Sequence, residues 1–163
     1  MYIFFLLFHI NDEEMNNMNE NNELLTYIYQ NAKMGMDSCT DLIKILNGKD
    51  NKIKKIVEGE LKGYENFVQK AEKLLKKNKI EHPKDKGMMA DLMTKMGMNM
   101  ELMKDNSDAR IADMLIKGFT MGNIDITKKI DRFEDDCDKE ILKLAKELLE
   151  FGKVNIDLLK PYL

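Results

Sequence analysis

Proline, cysteine and histidine are each present only twice in this chain of 163 residues, and tryptophan is absent. Only Pro83 and Pro161 would break a helix outright, so long uninterrupted helices are permitted elsewhere. Cys39 and Cys137 lie far apart and show no CxxC or Cys/His spacing, which argues against a zinc site or a disulfide framework. This cysteine usage fits a reducing compartment, and we predict a cytoplasmic protein.

The sequence also lacks an excess of positive charge. Its formal net charge is -3, its lysines are interleaved with acidic residues, and Arg110 and Arg132 are its arginines. Such a surface does not attract nucleic acid by counterion release, so we expect no nucleic-acid partner. We also find no Ser/His/Asp set, no phosphate-binding glycine loop and no array of base-stacking aromatic residues.

The composition that is present indicates one globular domain. Hydrophobic residues make up 44% of the chain and charged residues 34%, a balance typical of a folded protein with an apolar core. A domain of this length buries roughly 70% of the surface that its unfolded chain exposes. We therefore predict a single helical bundle domain over residues 21–163.

Residues 1–20 form a leader of different character. The opening run MYIFFLLFHI has about half the length needed to span a bilayer, no basic residue precedes it, and an acidic, Asn-rich stretch follows. We favour an upstream extension of the reading frame, with Met15 or Met18 as the true start. A short membrane-touching anchor and an extra packing segment are the alternatives, and we expect no stable membrane insertion.

Apolar residues at three- and four-residue steps predict a first helix from Glu23 to Leu46 and a second one after Asp50 or Asn51. Asn21 or Asn22 is expected to cap the first helix, and Asp50 or Asn51 the second. Asn47 and Gly48 provide the stop between the two helices. The first stripe contains Leu24, Ile28, Asn31, Gly35, Ser38, Leu42 and Ile45, and the second contains Ile53, Val57, Glu60, Tyr64, Phe67, Ala71 and Leu74.

A short methionine-rich helix is predicted from Gly87 to Met103, after the break at Pro83. The cluster 105–107 should end it and cap a long helix from Asp108 to about Arg132. The acidic residues 134–136 are expected to open the last long helix, which Pro161 ends. The plan is thus two antiparallel hairpins joined by about thirty residues, enough to travel the length of a bundle.

Four long helices with one long crossover resemble the ferritin-like superfamily over roughly residues 21–160. The stretches LTYIYQNAKMG at 25–35 and GFTMG at 118–122 are similar to a group of uncharacterised bacterial ferritin-like proteins. The resemblance implies an all-α, ferritin-like four-helix bundle whose crossover contains the short methionine-rich helix. It implies no particular activity.

Metal-binding members of that superfamily use inward glutamates and a Glu-x-x-His pair on the second and the last long helix. In this chain Gly63 stands three residues after Glu60 and Glu150 three residues after Glu147, while His9 and His82 lie in the leader and a loop. We therefore predict no metal, cofactor or catalytic residues.

Glu60 keeps two interpretations. We favour a partly buried carboxylate that is hydrogen-bonded by Tyr64, Asn31 or Ser38, because a buried charge must find partners. The alternative is an atypical carboxylate-only metal site made by Glu60 and Asp125.

Two further motifs carry competing interpretations. The methionines between Met88 and Met103 have spacings that could ligate Cu(I) or form a partner surface, although packing explains their helical stripe. Gly118 and Gly122 are one turn apart and allow close helix packing, against Gly35 or Gly63, or a ligand pocket. Packing is favoured for both motifs.

The sequence predicts a non-enzymatic bundle that acts through protein contacts with a partner or through self-association. The runner-up is a degenerate carboxylate-bundle metalloprotein with redox or metal-storage activity. Because the first and last long helices should run parallel, Cys39 and Cys137 are expected at opposite ends of the bundle, too far apart for a disulfide.

Overall fold

The computed structural model describes residues 19–83 and 104–163, and within these ranges the chain forms four long α-helices and no β-strand. They are α1 (Glu20–Ile45), α2 (Lys54–Lys77), α3 (Asp108–Phe133) and α4 (Lys139–Leu159), followed by a short 3₁₀ turn at Lys160–Tyr162. The predicted all-α bundle of four helices is confirmed. None of the helices in these ranges combines the length and apolar character needed to cross a membrane.

The predicted leader lies almost wholly outside the described residues, and the predicted helix from Gly87 to Met103 lies wholly outside them. The same holds for His9 and for the methionine spacings considered for copper. These expectations stay predictions.

Polar side chains cap α1 and α3, and two predicted caps are wrong. Asn19, rather than Asn21 or Asn22, caps α1 by accepting a hydrogen bond from the Asn22 backbone N–H at 2.9 Å. Ser107 caps α3, as predicted, by accepting one from the Arg110 N–H at 3.3 Å. These side chains satisfy amides that have no partner within the helix.

The turn between α1 and α2 ends the first helix where predicted, with Gly48 in the left-handed region at φ 73°. Asn51 does not cap α2. Its side-chain amide instead donates to the Asn106 carbonyl and to Asp108 Oδ1, both at 2.8 Å, and the Lys52 N–H donates to Asp108 Oδ2 at 3.0 Å. The α1–α2 turn is therefore bonded to the start of α3.

The other end of the bundle joins α1 to the start of α4. The Asp138 N–H donates to Asn21 Oδ1 at 2.8 Å, and Lys77 pairs with Glu140 at 2.6 Å. Residues 134–136 form a turn instead of opening α4, whose N-cap residue is Asp138. The predicted start was wrong because Cys137 N–H still bonds to the Phe133 carbonyl at 2.9 Å, which closes a turn after α3.

These end contacts fix the direction of every helix. α1 and α4 begin at one end, and α2 and α3 begin at the other end. Each hairpin is antiparallel, α1 runs parallel to α4, and the chain leaves α2 at one end of the bundle and enters α3 at the other.

Two apolar clusters fill the bundle. The proximal core lies at the end where α1 begins, and the distal core lies at the end of the α1–α2 turn. The proximal core is built on Leu24, Leu25, Ile28, Ala71, Leu75, Ile126, Ile141 and Ala145, and the distal core on Leu42, Leu46, Ile53, Val57, Ile111, Ala112 and Leu159. Tyr64 and Phe151 pack against both clusters. Burial of each large aliphatic side chain contributes about 1.5–3 kcal/mol.

The cysteines lie where the helix directions predicted. Cys39 is buried in the distal core, whereas Cys137 packs against the proximal core, and both are free thiols. The two thiols are thus separated along the bundle and form no disulfide, as expected, although Cys39 lies part-way along α1 and not at its end.

Candidate functional site

A cavity of about 80 Å³ lies between the two cores, at mid-height of the bundle. All four helices contribute to its wall, which is mostly apolar. Because α1 and α3 place glycine, serine or asparagine at several wall positions, the four helices do not close this space with large aliphatic side chains. The polar side chains of its wall include Asn31, Ser38, Glu60 and Asn123.

Glycines position the aromatic rings beside the cavity. A Cβ at Gly35 would overlap the Tyr64 ring, and a Cβ at Gly63 would overlap the Phe151 ring. These glycines therefore seat aromatic side chains directly on helix backbone. Gly35 and Gly63 each contact an aromatic ring, and a Cβ at Gly152, on α4, would likewise overlap the Asn123 side chain of α3.

The Gly118–Gly122 pair has a different place. Both glycines line the cavity, and a Cβ at Gly122 would lie 3.7 Å from Asn31 Nδ2, which is ordinary van der Waals contact. The favoured prediction of tight helix packing does not describe Gly122. The pocket interpretation fits its position better.

Glu60 is the polar group most completely enclosed at this level. Its side chain is 1% exposed, Oε2 accepts a hydrogen bond from the Cys39 thiol at 3.9 Å, and Oε1 has no hydrogen-bond partner among the residues that the structure describes. Burial of Glu60 was predicted, but its partner was not. Cys39 takes the place expected for Tyr64, Asn31 or Ser38.

Burial dominates the electrostatics of this carboxyl group. It raises the pKa of Glu60 to about 8, against a weaker lowering by the bond from Cys39. Burial also raises the pKa of the Cys39 thiol, and the charge of Glu60 adds to that effect. The pKa of Tyr64 is raised by burial and then by the nearby Cys39, Glu60 and Tyr27. At neutral pH the Glu60 carboxyl is therefore mostly protonated.

The described cavity wall contains no Lys, Arg or His that could neutralise an ionised Glu60. Its acidic groups are Glu60 together with the weak acids Cys39 and Tyr64. α3 and α4 contribute apolar side chains, glycines and Asn123. The site is thus a single buried carboxyl group in an apolar cavity, without a counter-charge from these helices.

Three aromatic rings from three helices stand together in this wall. Tyr64 and Phe119 are nearly parallel, 5° apart with ring centroids at 6.0 Å. Phe151 meets both rings edge-on, at centroid distances of 5.1 Å from Tyr64 and 6.0 Å from Phe119. Glu60 lies one helical turn before Tyr64, so the carboxyl group and the ring share one face of α2.

Asp125 does not join Glu60 in the cavity wall. It lies on α3 about one turn nearer the proximal end than Gly122, and its charge adds to burial in raising the pKa of Tyr27. Within the ranges 19–83 and 104–163 no cluster of three or more His, Cys, Asp and Glu residues could hold a metal ion. The cavity wall includes Glu60 but not Asp125, and the two-carboxylate site considered from the sequence stays a prediction.

The other residues considered for a metal site lie elsewhere. Glu147 pairs with Lys70 at 2.9 Å on the bundle surface, and Glu150 pairs with Lys153 at 3.8 Å. His82 packs its ring edge-on against Tyr29 and lies 3.6 Å from Glu72. None of these three residues is among those that line the cavity.

Two features of the site were missed by sequence reasoning. Cys39 carried a signal, since it lies seven residues after Ala32 and three before Leu42, on the buried face of α1. The ring cluster carried little signal, because its members are 32 and more positions apart in sequence and meet only through the arrangement of helices.

Comparisons with protein families, curated proteins and solved structures find no match to this chain.

Proposed function

We propose that this chain is a non-enzymatic, ferritin-like bundle that binds a small organic molecule in the cavity between its two cores. The single observation that carries the proposal is Oε1 of Glu60, a buried polar atom at the cavity wall without a hydrogen-bond partner in the described part of the chain. A buried titratable group with a strongly shifted pKa in a mainly apolar cavity is typical of a binding site.

A purely structural role for Glu60 is the competing explanation. Inward polar residues can fix helix register, and they do so through hydrogen bonds that satisfy both partners. Glu60 receives one bond, from a thiol, which is a weak donor. Leaving a buried polar atom unsatisfied costs about 1–3 kcal/mol, which a ligand donor or acceptor would offset.

The architecture supports binding better than catalysis. Among the described residues, the cavity wall contains one carboxyl group and no histidine or lysine that could act with it, whereas acid–base or nucleophilic catalysis generally pairs such groups. A cavity of about 80 Å³ is smaller than the engineered cavity of about 150 Å³ that holds benzene. The ligand, or the part of it that enters, is correspondingly small.

The experiment that tests binding uses neutral probes and two matched glycine variants. Full-length protein is titrated with n-butanol while Tm and backbone amide shifts are recorded. Gly122→Ala adds a methyl group at the cavity wall, whereas Gly59→Ala adds one at an exposed position of α2 with nothing within 4 Å.

We expect n-butanol to raise the Tm of the wild type and of Gly59→Ala equally, and to raise the Tm of Gly122→Ala less. The amide shifts should concentrate around residues 31–39 and 118–123. Absence of both the Tm increase and the localised shifts would overturn the proposal.

The two predictions made from the sequence keep their own tests. Action through a protein partner or self-association predicts a defined oligomer or complex, which light scattering would detect. The degenerate metalloprotein predicts bound iron, manganese or copper, which elemental analysis of native protein would detect.

A further inference from the structure

The cavity described above presents one acidic group and three aromatic rings, but no cationic side chain among its described lining residues. We propose that its ligand is a small organic cation, of the class of short alkylammonium ions, with the charged group between the Glu60 carboxylate and the rings of Tyr64, Phe119 and Phe151. This inference rests on the proposed binding function and names its ligand class.

Charge balance at Glu60 favours a cationic ligand. Oε2 of Glu60 accepts the Cys39 thiol, and Oε1 is without a partner in the described structure. An ammonium group at Oε1 would donate a charge-assisted hydrogen bond and supply the counter-charge that α1 to α4 do not provide at this wall. An anionic ligand would meet a second acid there, and a neutral ligand would leave Glu60 in its protonated form, whereas an ammonium ion stabilises the carboxylate.

The aromatic cluster also favours a cationic ligand, independently of the charge balance at Glu60. The π faces of aromatic rings attract cations within about 6 Å, and the attraction is strongest where water is excluded. Tyr64, Phe119 and Phe151 pack against one another, with ring centroids 5.1 to 6.0 Å apart, and all three line the same cavity as Glu60. A carboxylate beside several rings provides both the charge and the polarizable surface that an organic cation requires.

The size of the cavity and the polarity of its wall determine the rest of the ligand. The mostly apolar wall favours an alkyl portion, and Ser38 and Asn123 add hydroxyl and amide oxygen atoms as acceptors for the N–H groups of a primary ammonium ion. A short alkyl chain carrying one ammonium group satisfies both requirements.

Proton balance follows directly. Because Glu60 is mostly protonated at neutral pH, binding of an ammonium ion as an ion pair releases the Glu60 proton to solvent. Cys39 on α1 and Tyr64 on α2 are the other titratable groups facing Glu60, and both remain protonated. No charged residue of α3 or α4 lines the cavity. Close to one proton should leave for each cation bound at pH 7.

The test compares two probes of nearly equal shape. Calorimetric titration of full-length protein with n-butylammonium and with n-butanol, each in two buffers of different ionisation enthalpy, gives affinity and proton release together. We expect n-butylammonium to bind at least about tenfold more tightly than n-butanol at pH 7. Proton release should be close to one for the amine and zero for the alcohol.

Variants separate the two arguments. Glu60→Gln should abolish both the amine preference and the proton release while n-butanol still binds. Phe119→Leu, which keeps an apolar side chain in place, should weaken amine binding by about three- to tenfold and alcohol binding by less. If Glu60→Gln failed to fold, proton release in the wild type would still decide the question.

The outcomes are distinguishable. Equal or tighter binding of n-butanol, or amine binding without proton release, would overturn the cation inference and leave the proposed binding function intact. Binding of neither probe would overturn both.

Discussion

Two buried glutamates in two regions of the bundle have opposite electrostatic environments. Glu23, in the proximal half, is 5% exposed and lies 3.4 Å from Lys129 and 3.5 Å from Arg132. Glu60, at mid-height, is 1% exposed, and its one hydrogen-bond partner among the described residues is the Cys39 thiol. Within residues 19–83 and 104–163, the fold thus supplies cations to the buried Glu23 carboxylate but not to Glu60 beside the cavity.

The same contrast holds for the surrounding side chains. Around the proximal core the helices carry fully buried aliphatic residues such as Leu24, Ile28 and Ile141. One or two turns further along, the same α1 carries Asn31 and Gly35 at its inner wall. The middle of the bundle thus buries less apolar side-chain surface than the proximal core does. Such a pattern is expected where function competes with stability.

The largest expected effect is the pH dependence that Glu60 imposes on stability. Its folded pKa of about 8 lies above the ordinary value of about 4.3 for an unfolded chain. Between these values the folded state holds one more proton than the unfolded state, so this contribution to stability is complete below about pH 4 and is lost as pH rises to about 8. The full loss is about 3–5 kcal/mol.

Comparison of the wild type with Glu60→Gln isolates this effect from all other titrating groups. Urea unfolding should give free energies within about 1 kcal/mol of each other at pH 5, and a variant that is more stable by about 3–5 kcal/mol at pH 9. A difference that does not change with pH would show that Glu60 ionises as easily when folded as when unfolded.

The second effect has the opposite sign and tests the other glutamate. Glu23→Gln removes the charge that faces Lys129 and Arg132, and we expect it to destabilise the bundle by about 1–2 kcal/mol at pH 7, since both cations retain some access to water. Thermal or urea unfolding measures it. A stabilised Glu23→Gln would mean that the two glutamates are not in different environments after all.

The smallest effect concerns the glycine at the cavity. Gly122→Ala should stabilise the unliganded protein by about 0.5–1 kcal/mol, because alanine is the better helix residue and its methyl group meets only ordinary contacts. Gly59→Ala, at an exposed site, is the matched control, and it should increase stability by about the same amount. If Gly122→Ala destabilised the protein and Gly59→Ala did not, Gly122 would be a tight-packing residue, as predicted from the sequence.

Much of the fold followed from local patterns. Apolar periodicity located the four long helices to within a few residues at most ends, because each helix buries one continuous stripe. Cap residues were less predictable. Asn51 could serve its own helix or a distant one, and it bonds to Asp108 across the bundle, a choice that depends on tertiary position.

The site was predictable only in part, for the same reason. Glu60 stood on the apolar stripe of α2, so its burial could be inferred from sequence. Its bond from Cys39 depends on the relative rotation of α1 and α2, which no local pattern contains. Asp125 shares a face of α3 with Gly118, but its height in the bundle places its charge near Tyr27.

The seating of Tyr64 on Gly35 and of Phe151 on Gly63 has an evolutionary consequence. A side chain at either glycine would overlap the ring that packs on it, so the ring or its helix would have to move, and these positions therefore resist change. Gly122 on α3 has no such constraint. Single substitutions on α3 could therefore change which ligands the cavity accepts during evolution, while α1, α2 and α4 keep their contacts.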